Sequence, residues 1–143
     1  MTAERMDFSA VAPKVFRAVL ALDSAARAGL DGVLVELVQI RASQINRCAY
    51  CIDYHSTDAR KAGETEQRIY QLTAWPESGL YTERERAALA LTEAVTLLPG
   101  GVSDEVYGRA AEHFDEAELA QLIALIFTVN AWNRMNVTTR KAL

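Results

Sequence analysis

Between Leu119 and Val129 the chain is apolar around most of a helix's circumference, interrupted by Gln121. A helix of that kind must lie in the middle of a core or at a subunit interface. It is too short to span a bilayer. Asp115 is placed to cap its start, and the pattern runs on towards Trp132.

The rest of the chain has the same period. Val15, Val19, Leu22 and Ala26 form a helical stripe, with Phe16 and Leu20 beside it. A second helix is expected from Leu30 to about Ser43, with Val33, Leu37 and Ile40 on one face and a loose start at Gly29 and Gly32. Ile45-Asn46-Arg47 reads as a break, and Gly63 as the C′ residue ending the helix that follows. Trp75-Pro76 through Gly79 reads as a loop. Thr82 and Glu85 fit a capping box, opening a helix with Ala88, Leu91, Val95 and Leu98 on one face. Pro99-Gly100-Gly101 stops it, and Ser103 caps a short helix. No strand alternation or internal repeat interrupts this pattern. The expectation is an all-α, single-domain bundle of six or seven helices over residues 1–143.

Composition fits that reading and narrows the function. A chain of 143 residues, half of them apolar, can bury roughly two-thirds of its unfolded surface. A net charge of −4 argues against nucleic acid or an anionic membrane as partner. Met-Thr-Ala-Glu-Arg-Met-Asp lacks the basic-then-apolar pattern of a signal peptide, so a cytoplasmic location is expected.

The two cysteines form one pair, Cys48-Ala49-Tyr50-Cys51, and His55 follows one helical turn later. In a cytoplasmic protein such a pair is more often catalytic or metal-binding than structural. On a helix the sulfurs at i and i+3 can approach each other. Cys48 falls at the N-terminal end, where the helix dipole favours a thiolate. Cys51 and His55 share a face, so the imidazole can take the Cys51 proton. A disulfide closing a loop of about four residues stabilises a fold by only about 2 kcal/mol. It is better suited to opening and closing than to holding the chain together. A zinc reading takes Cys48, Cys51 and His55 with Glu36 or His113, but there is no second pair of ligands at zinc-site spacing.

Glu36 sits among Leu34, Val35, Leu37 and Val38. It is either a partly buried general base or a glutamate at the edge of the stripe, reaching solvent. Tyr50 and Tyr54 either line a pocket or pack. Arg41 and Arg60 either meet an acidic substrate or pair with surface carboxylates. His113 is explained by its place near a helix C-terminus. Asn130, Trp132, Asn133 and Asn136 either tie the last helix to an active-site rim or a neighbouring subunit, or form a terminal cap.

Glu36, Cys48, Cys51 and His55, in the spacing E-x11-C-x2-C-x3-H, resemble the signature of the alkyl hydroperoxidase D-like proteins within the carboxymuconolactone decarboxylase family. Arg41 to Cys51, Ala59 to Glu64 and Trp132-Asn133-Arg134 also resemble it. The close motif covers about residues 33 to 64.

The resemblance implies an all-α fold assembled as a homo-oligomer, a trimer or hexamer. It implies a thiol peroxidase that reduces hydroperoxides without metal or organic cofactor. Cys51 becomes the peroxidatic thiolate, Cys48 the resolving thiol, and Glu36 and His55 a proton relay. A dithiol donor such as a lipoylated protein restores the pair. Tyr50 stands where the best-known member has a histidine, which implies a shorter relay. Two alternatives remain open. One is a lyase acting on a small acidic lactone, although such members lack the cysteine pair. The other is a metal-binding or redox-sensing oligomer without turnover.

Overall fold

A computed structural model describes residues 3–143. Among these residues there are eight α-helices, two short 3-10 segments and no strand. The helices are α1 (Phe8–Val11), α2 (Pro13–Arg27), α3 (Gly32–Ile45), α4 (Ala49–Lys61), α5 (Glu66–Gln71), α6 (Glu83–Thr96), α7 (Asp104–His113) and α8 (Glu116–Thr139). Two of them exceed expectation. The four-residue α1 and six-residue α5 are each under two turns, too short for a hydrophobic period to show. Part of the expected loop at Trp75-Pro76 is a 3-10 segment, Leu72–Glu77.

The helix ends follow from local chemistry. Asp31, Thr65 and Ser103 each accept a backbone N–H at the start of α3, α5 and α7. Complete capping boxes open α6, from Thr82 and Glu85, and α8, from Asp115 and Glu118. Three helices close with the same Schellman pattern, in which a residue in left-handed conformation turns the chain back. After α3 the residue is Arg47 (φ 54°), with Cys48 N–H bonded to Ser43 O at 3.0 Å and Arg47 N–H to Gln44 O at 3.2 Å. After α4 it is Gly63, and after α8 it is Arg140 (φ 55°).

Helix α8 is central, as its composition demands. Leu119, Leu122, Leu125, Ile126 and Val129 are all buried. The first four pack with Leu34, Val35 and Val38 of α3, Ala88 and Leu91 of α6, and Phe114. Helix α3 is equally enclosed: every residue from Leu34 to Ile40 is buried. Its opposite face, Leu37 and Ile40, meets Ala59, Leu72, Trp75, Tyr81 and Leu89 in a second cluster. The site's helices therefore rest on a rigid frame.

Helix α2 corrects the expected stripe. Of its residues only Ala26 is buried; Val15 and Leu22 face solvent. Val19 turns inward with Ala26 as expected, while Phe16, Asp23 and Arg27 complete the inward face in place of Val15 and Leu22. The register is set by polar partners: Asp23 accepts from Trp132 Nε1 at 3.1 Å, and Arg27 reaches α3. Hydrogen bonds to a half-buried ion pair outweigh the burial of two aliphatic side chains.

Candidate active site

The Schellman turn at Arg47 delivers Cys48 directly to the start of α4, where it is the N-cap residue. Cys48 Sγ accepts the Cys51 N–H at 3.3 Å. The two cysteines are joined in a disulfide and both are 2% exposed. One turn later on α4 comes His55, also buried.

Helix α3 supplies the next group. Glu36 is buried and does not reach solvent, and its Oε2 lies 3.1 Å from His55 Nδ1. In the neutral tautomer that donates Nδ1–H to Glu36, the other ring nitrogen is an acceptor. Helix α8 supplies Asn136, whose amide donates to Cys51 Sγ at 3.5 Å. The structure thus brings together all four residues of the sequence motif and adds a fifth.

Arg27 is a further member. Its Nε meets Asp23 Oδ2 at 2.7 Å, one terminal nitrogen reaches Glu36 Oε1 at 3.4 Å, and the other donates to Gln39 Oε1 at 3.2 Å. Burial opposes the guanidinium charge, but the hydrogen bond and charge of Asp23, then those of Glu36, outweigh it and hold the group above its ordinary range. The signal for Arg27 was the i, i+4 spacing of Asp23 and Arg27. Its target on another helix had no local signature.

A cavity of about 300 Å³ opens over this cluster. Cys51 and His55 line it; Cys48 does not. Tyr50 and Tyr54 line it too, their rings stacked at 6.1 Å between centroids. Burial, then the charges of Asp58 and Tyr50, raise the Tyr54 phenol above its ordinary value, so it stays protonated near neutral pH.

Other candidates have structural duties. Arg41 pairs with Glu93 at 3.0 Å, and Arg60 donates to the Glu64 carbonyl at 2.7 Å. Asn46 donates to both Asn130 and Asn133 at 2.9 Å, and Asn133 donates to Ser43. This buried amide network ties α8 to the turn that carries Cys48. His113 ends α7. Among the described residues no group of three or more His, Cys, Asp or Glu is arranged to hold a metal ion. No helix of the described chain is long and apolar enough to cross a membrane.

An all-α bundle with a C-x-x-C pair at a helix start, backed by a buried histidine and glutamate, defines an alkyl hydroperoxidase D-like protein. The chain belongs to the carboxymuconolactone decarboxylase family, whose model matches residues 13–94. It is 42% identical over 136 residues to the uncharacterized protein YdfG of Bacillus subtilis (strain 168), covering 94% of this chain and 92% of that one. A crystal structure from Agrobacterium tumefaciens, of a protein of unknown function provisionally described as the antioxidant defence protein AhpD, superposes with a TM-score of 0.95. The two are 35% identical, over 98% of this chain and 97% of that one. The debrominase Bmp8 shares the fold at a TM-score of 0.82 and 22% identity, over 92% of this chain and 72% of its own.

Proposed function

We propose that this protein is a thiol peroxidase that reduces organic hydroperoxides through a Cys48/Cys51 dithiol–disulfide cycle. The observation that carries the reading is the placement of Cys51 and His55 on one cavity, with Glu36 behind the imidazole at 3.1 Å.

In the reduced protein, the free ring nitrogen of His55 takes the Cys51 proton. The thiolate attacks the terminal peroxide oxygen, forming an S–O bond as the O–O bond breaks. The alkoxide leaves as alcohol, carrying the proton from His55. Cys48 sulfur then attacks the sulfenic sulfur; the S–S bond forms, the S–O bond breaks, and hydroxide leaves as water with the Cys48 proton. Two thiols and one hydroperoxide thus become a disulfide, an alcohol and water.

Cavity access favours Cys51 as the attacking thiol. Cys48, behind it and held as N-cap, suits the resolving role. A dithiol donor, such as a lipoylated protein, returns the pair to thiols by exchange at the Cys51 sulfur, the one that lines the cavity. The solvent-facing Val15, Leu20 and Leu22 on α2 support assembly as a homo-oligomer.

The test is single turnover of the fully reduced protein with a small organic hydroperoxide, followed by thiol titration and intact mass. Loss of both thiols and about 2 Da per chain, abolished in Cys51→Ser, is the expected result. Persistence of both thiols at millimolar peroxide overturns the reading.

A further inference from the structure

The cavity over Cys51 has two properties that no step of the dithiol cycle needs. The first is its wall. Phe16 and Trp132 meet edge to face at 5.5 Å, bringing α2 against α8. Tyr50 and Tyr54 stack on α4, and Phe8 completes a lining of five aromatic side chains. Tyr54 is 51% exposed and Leu20 48%, so large apolar groups stand open around the lining. A hydrogen peroxide molecule needs none of this surface. At about 300 Å³ the space lies at the small end of ligand pockets, enough for a single-ring compound.

The second property is electrical. Each charged group on the lining already has a partner. Asp23 holds Arg27 and Trp132 Nε1, Arg27 also holds Glu36, and Glu36 holds His55. Asp7 caps α1 and accepts from Ser9 at 2.7 Å. Lys141 meets Glu4 at 3.7 Å. An anionic ligand would be desolvated here without a free counter-charge, and the one lining carboxylate outside an ion pair, Asp7, is solvent-exposed.

We propose that the cavity over Cys51 is a binding site for an uncharged aromatic ring, which the Phe16–Trp132 and Tyr50–Tyr54 pairs hold by stacked and edge contacts. The inference rests on the peroxidase reading only for which group of the ligand reacts. Ring binding itself requires no redox step.

The probe is 2-phenylpropan-2-ol, an unreactive alcohol, titrated into the full-length disulfide form by calorimetry and by NMR of the Trp132 indole N–H. The comparison ligands are 2-cyclohexylpropan-2-ol, benzoate and benzylammonium. The saturated ring is the more apolar, so burial alone would favour it; a preference for the phenyl ring isolates ring–ring contact. The phenyl alcohol should bind about three- to tenfold tighter than its cyclohexyl analogue, and at least about tenfold tighter than either ion. Phe16→Leu and Tyr54→Leu should each weaken it by about three- to tenfold. Should a variant fail to fold, the indole shift of the wild-type protein still decides the matter. Equal or tighter binding of the saturated ring or of either ion overturns the proposal, as does an unmoved Trp132 resonance at millimolar probe. If the ring binds as expected while both thiols survive hydroperoxide, the aromatic site stands and the peroxidase reading falls.

Discussion

Glu36 Oε2 and His55 Nδ1 stand 3.1 Å apart across two helices, both side chains buried. The contact fixes the plane of the imidazole, and in the proposed cycle its second nitrogen takes the proton of Cys51. His55→Gln is therefore expected to slow oxidation of the reduced protein by hydroperoxide by about 10²-fold or more. Glu36→Gln should cost less, because the imidazole remains and loses only its orienting carboxylate. Stopped-flow loss of thiol, with equal peroxide for both variants, gives the order. Equal rates in wild type and His55→Gln would remove the imidazole from the reaction.

Arg27 extends the chain of contacts from Glu36 to Asp23 and Gln39. A planar fork can meet three acceptors at fixed angles, and an ammonium cannot. Arg27→Met is expected to slow the same thiol-oxidation step by about tenfold, through loss of carboxylate positioning. Arg27→Lys should restore only part of the rate. Full recovery with lysine would show that charge alone matters and that the fork geometry does not.

Arg47 stands in left-handed conformation at the turn that places Cys48, φ 54°. That conformation costs an ordinary L-residue about 1–2 kcal/mol, whereas glycine adopts it freely at a cost in unfolded-state entropy. Arg47→Gly should raise stability by about 0.5–1 kcal/mol net, read from the urea midpoint. A lower midpoint would mean that the arginine side chain contributes more than the turn costs it.

The legible parts of this fold were those encoded locally. Thr82, Asp115, Ser103 and Gly63 act where their residue types predict, because a cap needs only its own four or five neighbours. Cys48, Cys51 and His55 were legible for the same reason: one helix carries the spacing. Glu36 was ambiguous because its neighbours signal burial but not its partner. The inward face of α2 was legible at Val19 and Ala26 and misread at Val15 and Leu22, since hydropathy ranks those two above Asp23 and Arg27. The polar pair wins only once Trp132, Glu36 and Gln39 are in place. Arg27 was missed on the same account. The amide network from Asn46 to Asn130 and Asn133 spans more than 80 residues of chain, and no local pattern announces it.

Arg68 links α5 to α6 through Glu64 and Glu85, meeting Glu64 Oε1 at 2.8 Å and Glu85 through a bidentate contact. Burial tends to raise the Glu85 carboxyl, but the Arg68 hydrogen bond and the Thr82 backbone N–H outweigh it and hold the group below its ordinary value of 4.5. A group lowered on folding binds its proton more readily in the unfolded chain. Its stabilising contribution is complete above the ordinary value and is lost as pH falls through the lower folded one. With allowance for solvent screening of this partly buried pair, Glu85→Gln should cost about 1 kcal/mol at pH 7. The difference between variant and wild type should shrink as pH falls from about 5 towards 2. Urea midpoints of both proteins across that range measure it. A gap that stays constant or widens in acid would show that Glu85 stabilises the fold by packing or capping and that its charge contributes nothing.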